Sequence, residues 1–213
     1  MPILSTIRRC LIPCLLAVGG LTASPVQAVP TEGELKTAVE TYFSDLFGKL
    51  GEAAKQAPTE ATFRSVMKSP LDKIDGLYGA SLIDANWVII QVYFKRDFLA
   101  VGYSLKKVKE LDTFRKLMTE TPSPQLSEPG HGTALQPRLI SLRYPLLQDG
   151  KMTRMISIMI RTDSFLKAVK LDTCSAYDIT CRGQVTEKKG KLSESPQKVV
   201  LSLPATEWII RYE

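Results

Sequence analysis

Arg143 alternates with Ser141 along one predicted strand, and Ser157 alternates with Met159 along the strand that follows it. Residues two apart on a strand share a face, so each pair lies on the mixed side of its strand. A guanidinium held on a sheet beside hydroxyls can clamp a carboxylate through a bidentate, charge-assisted pair. The plainer reading makes Arg143 an exposed or internally paired strand residue. Arg138, at the strand entrance, is a weaker candidate of the same kind. Tyr144 falls by alternation on the opposite, apolar face, where core packing competes with ligand contact. His131, between Pro129-Gly130 and Gly132, would titrate near neutral pH and could gate a pocket. A solvated loop histidine is the ordinary alternative.

Catalytic signatures are missing. The sequence has no Gly-x-Ser-x-Gly elbow, no His-Glu-x-x-His metal helix and no Gly-rich phosphate loop before a helix. A serine triad would have to use the single histidine, His131, in a Gly-flanked loop. Asp72 and Asp75 fall at a helix end and read as capping and solubility residues. No enzyme activity and no cofactor are expected.

The first 28 residues read as an export signal. Arg8 and Arg9 make a positive n-region, Cys10 to Leu21 an apolar core, and Val26-Gln27-Ala28 a cleavage site. The core is short and broken by Gly19-Gly20, which suits a cleaved signal better than an anchor. Cleavage after Ala28 leaves residues 29–213 as one domain in the periplasm or outside the cell. Cys174 and Cys181, seven positions apart, would then form a disulfide around the turn-rich segment 175–180. Two cysteines and one distant histidine do not make a zinc tetrahedron.

The net charge of +6 falls by two with Arg8 and Arg9 and shows no block dense enough for nucleic acid. Lys106, Lys107, Lys109, Arg115 and Lys116 fit the wet face of one helix, with an anionic membrane or partner as the alternative.

These residues need elements to position them. Thr31 and Glu34 form a capping box ahead of a helix of about 25 residues whose stripe runs Leu35, Val39, Tyr42, Phe43, Leu46, Phe47 and Leu50. A second helix follows Thr59, burying Phe63, Val66 and Met67. A hairpin pairs Leu77–Ile83 with Trp87–Phe94. Helical spacing returns from Leu105 to Met118, and Thr121 to Pro137 reads as a loop. The second hairpin, Arg138–Leu147 and Met152–Arg161, turns at Asp149-Gly150. Its greasy face carries Ile140, Leu142, Tyr144 and Leu146. A short helix (Asp163–Lys170), the cysteine-bounded loop, where Tyr177 and Asp178 could line a pocket mouth, and strands at 184–188, 199–203 and 208–212 complete the chain.

This order is α+β and resembles the extracytoplasmic Cache domains, PAS-like sensor modules of bacterial receptors. The likeness rests on Tyr78 to Asp84, a strand ending in an aspartate turn; on Ile140 to Gly150 with Met155 to Ile160, similar to the family's central hairpin; and on Leu203 to Arg211, a closing strand with Trp208. It implies a central antiparallel sheet with a long N-terminal helix and flanking helices, and a small-molecule pocket between the sheet and the segments covering its far face. The amino-acid-binding branch places Trp-Tyr just after its arginine; here Arg143-Tyr144 lacks the tryptophan, so amino-acid recognition does not carry over.

The expectation is an exported small-molecule sensor domain for a carboxylate-bearing ligand, signalling through a membrane receptor or kinase partner. The alternative is a non-enzymatic interaction protein whose pocket is filled by Met159, Trp87 or Tyr93. Either is compatible with a homodimer through the Leu35–Leu50 helix face.

Overall fold

A computed structural model describes residues 29–94, 100–130 and 137–213; the expected signal peptide and His131 lie outside the described residues. Helix α1 spans Glu32–Lys55 and opens on the capping box, with Thr31 Oγ1 accepting from the Glu34 amide at 3.3 Å and Glu34 Oε2 from the Thr31 amide at 2.8 Å. Leu35, Val39, Phe43, Leu46 and Leu50 form its buried stripe. Helix α2 is Phe63–Leu71.

The first sheet contains β1 (Leu77–Asp84), β2 (Ile89–Phe94), β3 (Gln125–Leu126), β4 (Leu139–Gln148) and β5 (Lys151–Arg161), all antiparallel in the order β2-β1-β5-β4-β3. Asp149 and Gly150 join β4 to β5 with φ of 51° and 74°, the two left-handed residues that a tight hairpin turn needs. Helix α3 (Asp112–Glu120) precedes β3, and α4 (Thr162–Ala168) follows β5. The second sheet is β6 (Tyr177–Cys181), β7 (Gln184–Lys189), β8 (Gln197–Leu203) and β9 (Thr206–Tyr212), in the order β7-β6-β9-β8.

Helix α1 reaches both sheets, meeting β4 of the first and β8 of the second. One continuous apolar core joins its stripe to Ile140, Leu142, Ile156 and Ile158 of the first sheet and to Val199, Leu201, Trp208 and Ile210 of the second. Phe43 stacks on Phe165 at 5.1 Å between centroids and meets Trp208 edge-on at 5.4 Å. The helix stripe is therefore buried inside its own chain, so a second copy meeting α1 would have to use other residues than Leu35, Val39, Phe43, Leu46 and Leu50. A smaller cluster of Ile83, Trp87, Phe114, Met118 and Met155 covers the other face of the first sheet. Among the described residues, no helix is long and apolar enough to cross a membrane.

Several expectations about the elements are corrected. Residues 105–118 form two single-turn 3₁₀ segments, Leu105–Lys107 and Lys109–Leu111, ahead of α3, because Val108 is extended (φ −99°, ψ 100°) and interrupts the helix. The stretch 121–137 contains β3, which adds an edge to the sheet through Gln125 and Leu126. The cysteine-bounded loop is strand β6. Tyr177 to Cys181 cover about 13 Å of strand, while Ser175 and Ala176 extend the ladder by donating to the Glu213 carbonyl. Two cysteine Cα atoms can be bridged only within about 7 Å. Cys174 and Cys181 are accordingly buried free thiols and not a disulfide.

Candidate functional site

Strand pairing aligns four polar side chains in one row across the covered face of the first sheet. Gln125 of β3 faces Arg143 of β4, Arg143 faces Ser157 of β5, and Ser157 faces Ser81 of β1. Directly opposed residues put their side chains on the same face, one strand spacing of about 4.8 Å apart. All four are buried, at 3, 9, 7 and 6% exposure respectively. None of the four side chains makes a hydrogen bond or ion pair with a described residue. Buried polar groups in folded proteins nearly always have partners, so a row of four without any among the described residues is a candidate site.

The cover is aromatic. The Arg143 guanidinium carbon lies 4.0 Å from the centroid of the Phe114 ring on α3. Trp87 meets Phe114 edge-on, centroids 5.5 Å apart. Trp87 does not belong to β2, as its aromatic character suggested; it sits in the β1–β2 turn with φ of 67°, a conformation bulky residues rarely adopt. Asp84 holds that turn, its Oδ1 accepting from the amides of Asn86 (2.9 Å) and Val88 (2.8 Å) while its carbonyl accepts from Trp87. Arg115 ties α3 down by donating to the carbonyls of Leu105 (2.6 Å) and Val108 (3.2 Å). Met118 of α3 adds to the cover and clusters with Met155 of the sheet.

Burial pulls the Arg143 guanidinium down to about 10, opposed only by the charge of Glu128. It is still a cation at neutral pH. An unpaired buried charge costs several kcal/mol, which a bound anion would recover. A cation over an aromatic face is attracted by the ring quadrupole, so Phe114 offsets part of the burial of this charge.

Of the residues singled out in the sequence, Arg143 and Ser157 come together in this row. Ser141 and Met159 sit one row away on the same face, opposed to each other, with Met159 also facing Gly79. Tyr144 does not join them: it packs on the opposite face against α1, its hydroxyl 3.4 Å from where a side chain at Gly51 would begin. Arg138 is also corrected. Its guanidinium pairs with Asp163 of α4 and with Glu187 of β7, whose carboxylate is buried, so it clamps the two sheets together and is not free for a ligand. Tyr177 is core and Asp178 is chelated by Arg211, so neither lines a pocket mouth. Tyr93 lies against the main core on the other face and does not fill the site. Among the described residues, no cluster of three metal-ligating side chains occurs.

Sequence reasoning missed Gln125, Ser81 and Phe114. Gln125 stood in an apparent loop and Phe114 in an apparent core stripe. Ser81 becomes visible only once β1 is known to pair with β5 as well as β2. A separate surface groove of about 760 Å³ runs between α1 and the end of α4, lined by Gly33, Thr37, Thr41, Tyr42 and Ala168, and holds none of the candidates.

No protein-family model matches the sequence, and no curated protein matches it significantly. Solved structures match in fold. An extracellular ligand-binding receptor from Desulfohalobium retbaense superposes with a TM-score of 0.64 at 17% identity, covering 84% of this chain and 39% of the receptor. The ligand-binding domain of the Pseudomonas fluorescens chemoreceptor CtaA, in complex with L-alanine, gives 0.60 at 13% identity, covering 85% of this chain and 92% of that one. The ligand-binding domain of the Pseudomonas aeruginosa amino-acid chemoreceptor PctC, in complex with GABA, gives 0.59 at 12% identity, covering 84% and 94%. The fold is shared with these chemoreceptor ligand-binding domains, in line with the α+β fold that the resemblance to Cache domains implied.

Proposed function

We propose that this chain is an exported sensor domain that binds a small carboxylate-bearing ligand on the covered face of its first sheet and signals through a partner protein. One observation carries the reading: Arg143 is a buried cation whose donors meet no acceptor among the described residues. A carboxylate would engage two of those donors in a parallel pair and repay the burial of the charge. Phe114 and Trp87 supply the dry surroundings that strengthen such a pair. The domain binds without turning its ligand over. Export follows from the reading of residues 1–28, and the extracellular receptor with the same fold is in keeping with it. A membrane receptor or kinase is the class of partner that such a domain would inform.

The test is thermal denaturation of residues 29–213 against small carboxylates, each beside its neutral amide. A ligand at a hundredfold excess over its Kd stabilises by about 2.7 kcal/mol. Carboxylates should raise the melting temperature, amides should not, and Arg143→Met should abolish the response.

A second reading has its own observation. Trp87 and Phe114 already cover Arg143, so the face could be filled by the protein itself and the domain could serve as an interaction module. A well-folded protein that ignores every carboxylate would favour it.

A further inference from the structure

Resting on the carboxylate reading, we infer that the ligand carries a second polar group, a hydroxyl or a carbonyl, and that Ser157 and Ser81 read it. The row is ordered. Arg143 is followed by Ser157 and then by Ser81, and the residue facing Ser81 on β2 is Val92, 5% exposed. Moving from the cation toward β2, a bound molecule meets two hydroxyls and then an apolar wall. The neighbouring row on one side is apolar too, with Pro145, Met155 and Ile83 in register and all buried. The two serines are therefore the polar groups placed to contact the body of a ligand whose carboxylate is held at Arg143.

Their chemistry sets the class. A serine hydroxyl can donate and accept, so the pair suits either a hydroxyl or a carbonyl on the ligand. Neither serine side chain has a hydrogen-bond partner among the described residues. An unsubstituted alkyl carboxylate would leave both hydroxyls dry and unpaired, a cost that a hydroxy acid avoids. Gln125, on the other side of Arg143, offers its side-chain amide to the carboxylate itself. This division makes Arg143 and Gln125 the charge-holding pair and Ser157 and Ser81 the specificity pair.

Calorimetric titration of residues 29–213 with matched acids tests this. Lactate and propionate differ by one hydroxyl, as do 3-hydroxybutyrate and butyrate. In at least one pair the hydroxy acid should bind about tenfold more tightly, the worth of one good hydrogen bond. Ser157→Ala with Ser81→Ala should bring that ratio close to one. Arg143→Met should remove both. Equal affinities in both pairs, or a ratio that survives the double serine variant, would overturn the inference and leave the carboxylate reading standing. Failure of all four acids to bind a folded protein would overturn both.

Discussion

The guanidinium carbon of Arg143 lies over the ring of Phe114, 4.0 Å from its centroid, and this contact joins the sheet to the helix that covers it. The contact shields a charge without neutralising it. Its consequence is a conflict between stability and binding at one residue.

Replacing a buried, poorly compensated charge by an apolar side chain of similar volume is commonly neutral or stabilising, by about 1–4 kcal/mol. Arg143→Met should therefore leave the ligand-free melting temperature unchanged or raise it, while cancelling the response to carboxylates. Thermal melts with and without lactate measure both. A marked loss of ligand-free stability would mean that Arg143 is a structural residue.

Arg138 behaves in the opposite way. Removing it leaves the Glu187 carboxylate, 2% exposed in its side chain, as an uncompensated buried charge. Loss of one partner of such a pair costs about 3–5 kcal/mol, and the partial exposure of Arg138 puts this case at the lower end. Urea denaturation of Arg138→Ala should show that loss, with much of it restored by adding Glu187→Gln. A variant of native stability that no longer responds to carboxylates would return Arg138 to the ligand site.

Alkaline pH tests the buried tyrosines. Burial pushes the Tyr42 hydroxyl up to about 12, and Tyr177 likewise, chiefly by desolvation. An unfolded chain ionises these groups near pH 10. Their contribution is fully present below that value and is lost as pH rises toward 12, because the unfolded state releases protons that the folded state keeps. Arg143 opposes this trend, since burial holds its folded value, about 10, well below the ordinary guanidinium range. The Tyr42 hydroxyl is buried without a hydrogen-bond partner, so Tyr42→Phe should fold normally and lose stability less steeply above pH 10. An unchanged slope in urea melts from pH 9 to 11.5 would contradict this.

The thiols give a direct check on the second sheet. Residues 29–213 should carry two free cysteines, Cys174 and Cys181, neither reactive in the folded state. Burial pushes Cys181 up to about 11, so little thiolate is present at neutral pH. A thiol reagent should count none before unfolding and two after it. A mass two hydrogens lighter would show a disulfide and contradict the straight course of β6.

Much of the fold was legible because local rules and burial agreed. Thr31 and Glu34 announced α1, and Asp149-Gly150 announced the β4–β5 hairpin, including which face of it was apolar. What failed depended on partners distant in sequence. The α1 stripe looked like a surface for a second copy, yet Phe43 is packed on Phe165 and Trp208 far along the chain. Phe43→Glu should accordingly unfold the protein and not dissociate it. Segment 175–180 looked like a loop because its polar residues suggested turns, but pairing with both β7 and β9 overrides weak local propensity. At the candidate site, the shared face of Arg143 and Ser157 was readable from alternation alone. Gln125 and Ser81 were not, since only the register of β3 and β1 brings them into the row.

The most direct test watches the Arg143 side chain itself. In a nitrogen-15 spectrum of residues 29–213, its Nε–H signal, assigned by its loss in Arg143→Met, should be followed while lactate is added and then lactamide. A saturable shift with lactate and none with lactamide is the predicted result. A signal that stays fixed as carboxylates saturate the solution would show that this buried guanidinium receives no ligand, and the carboxylate-sensing account would fail.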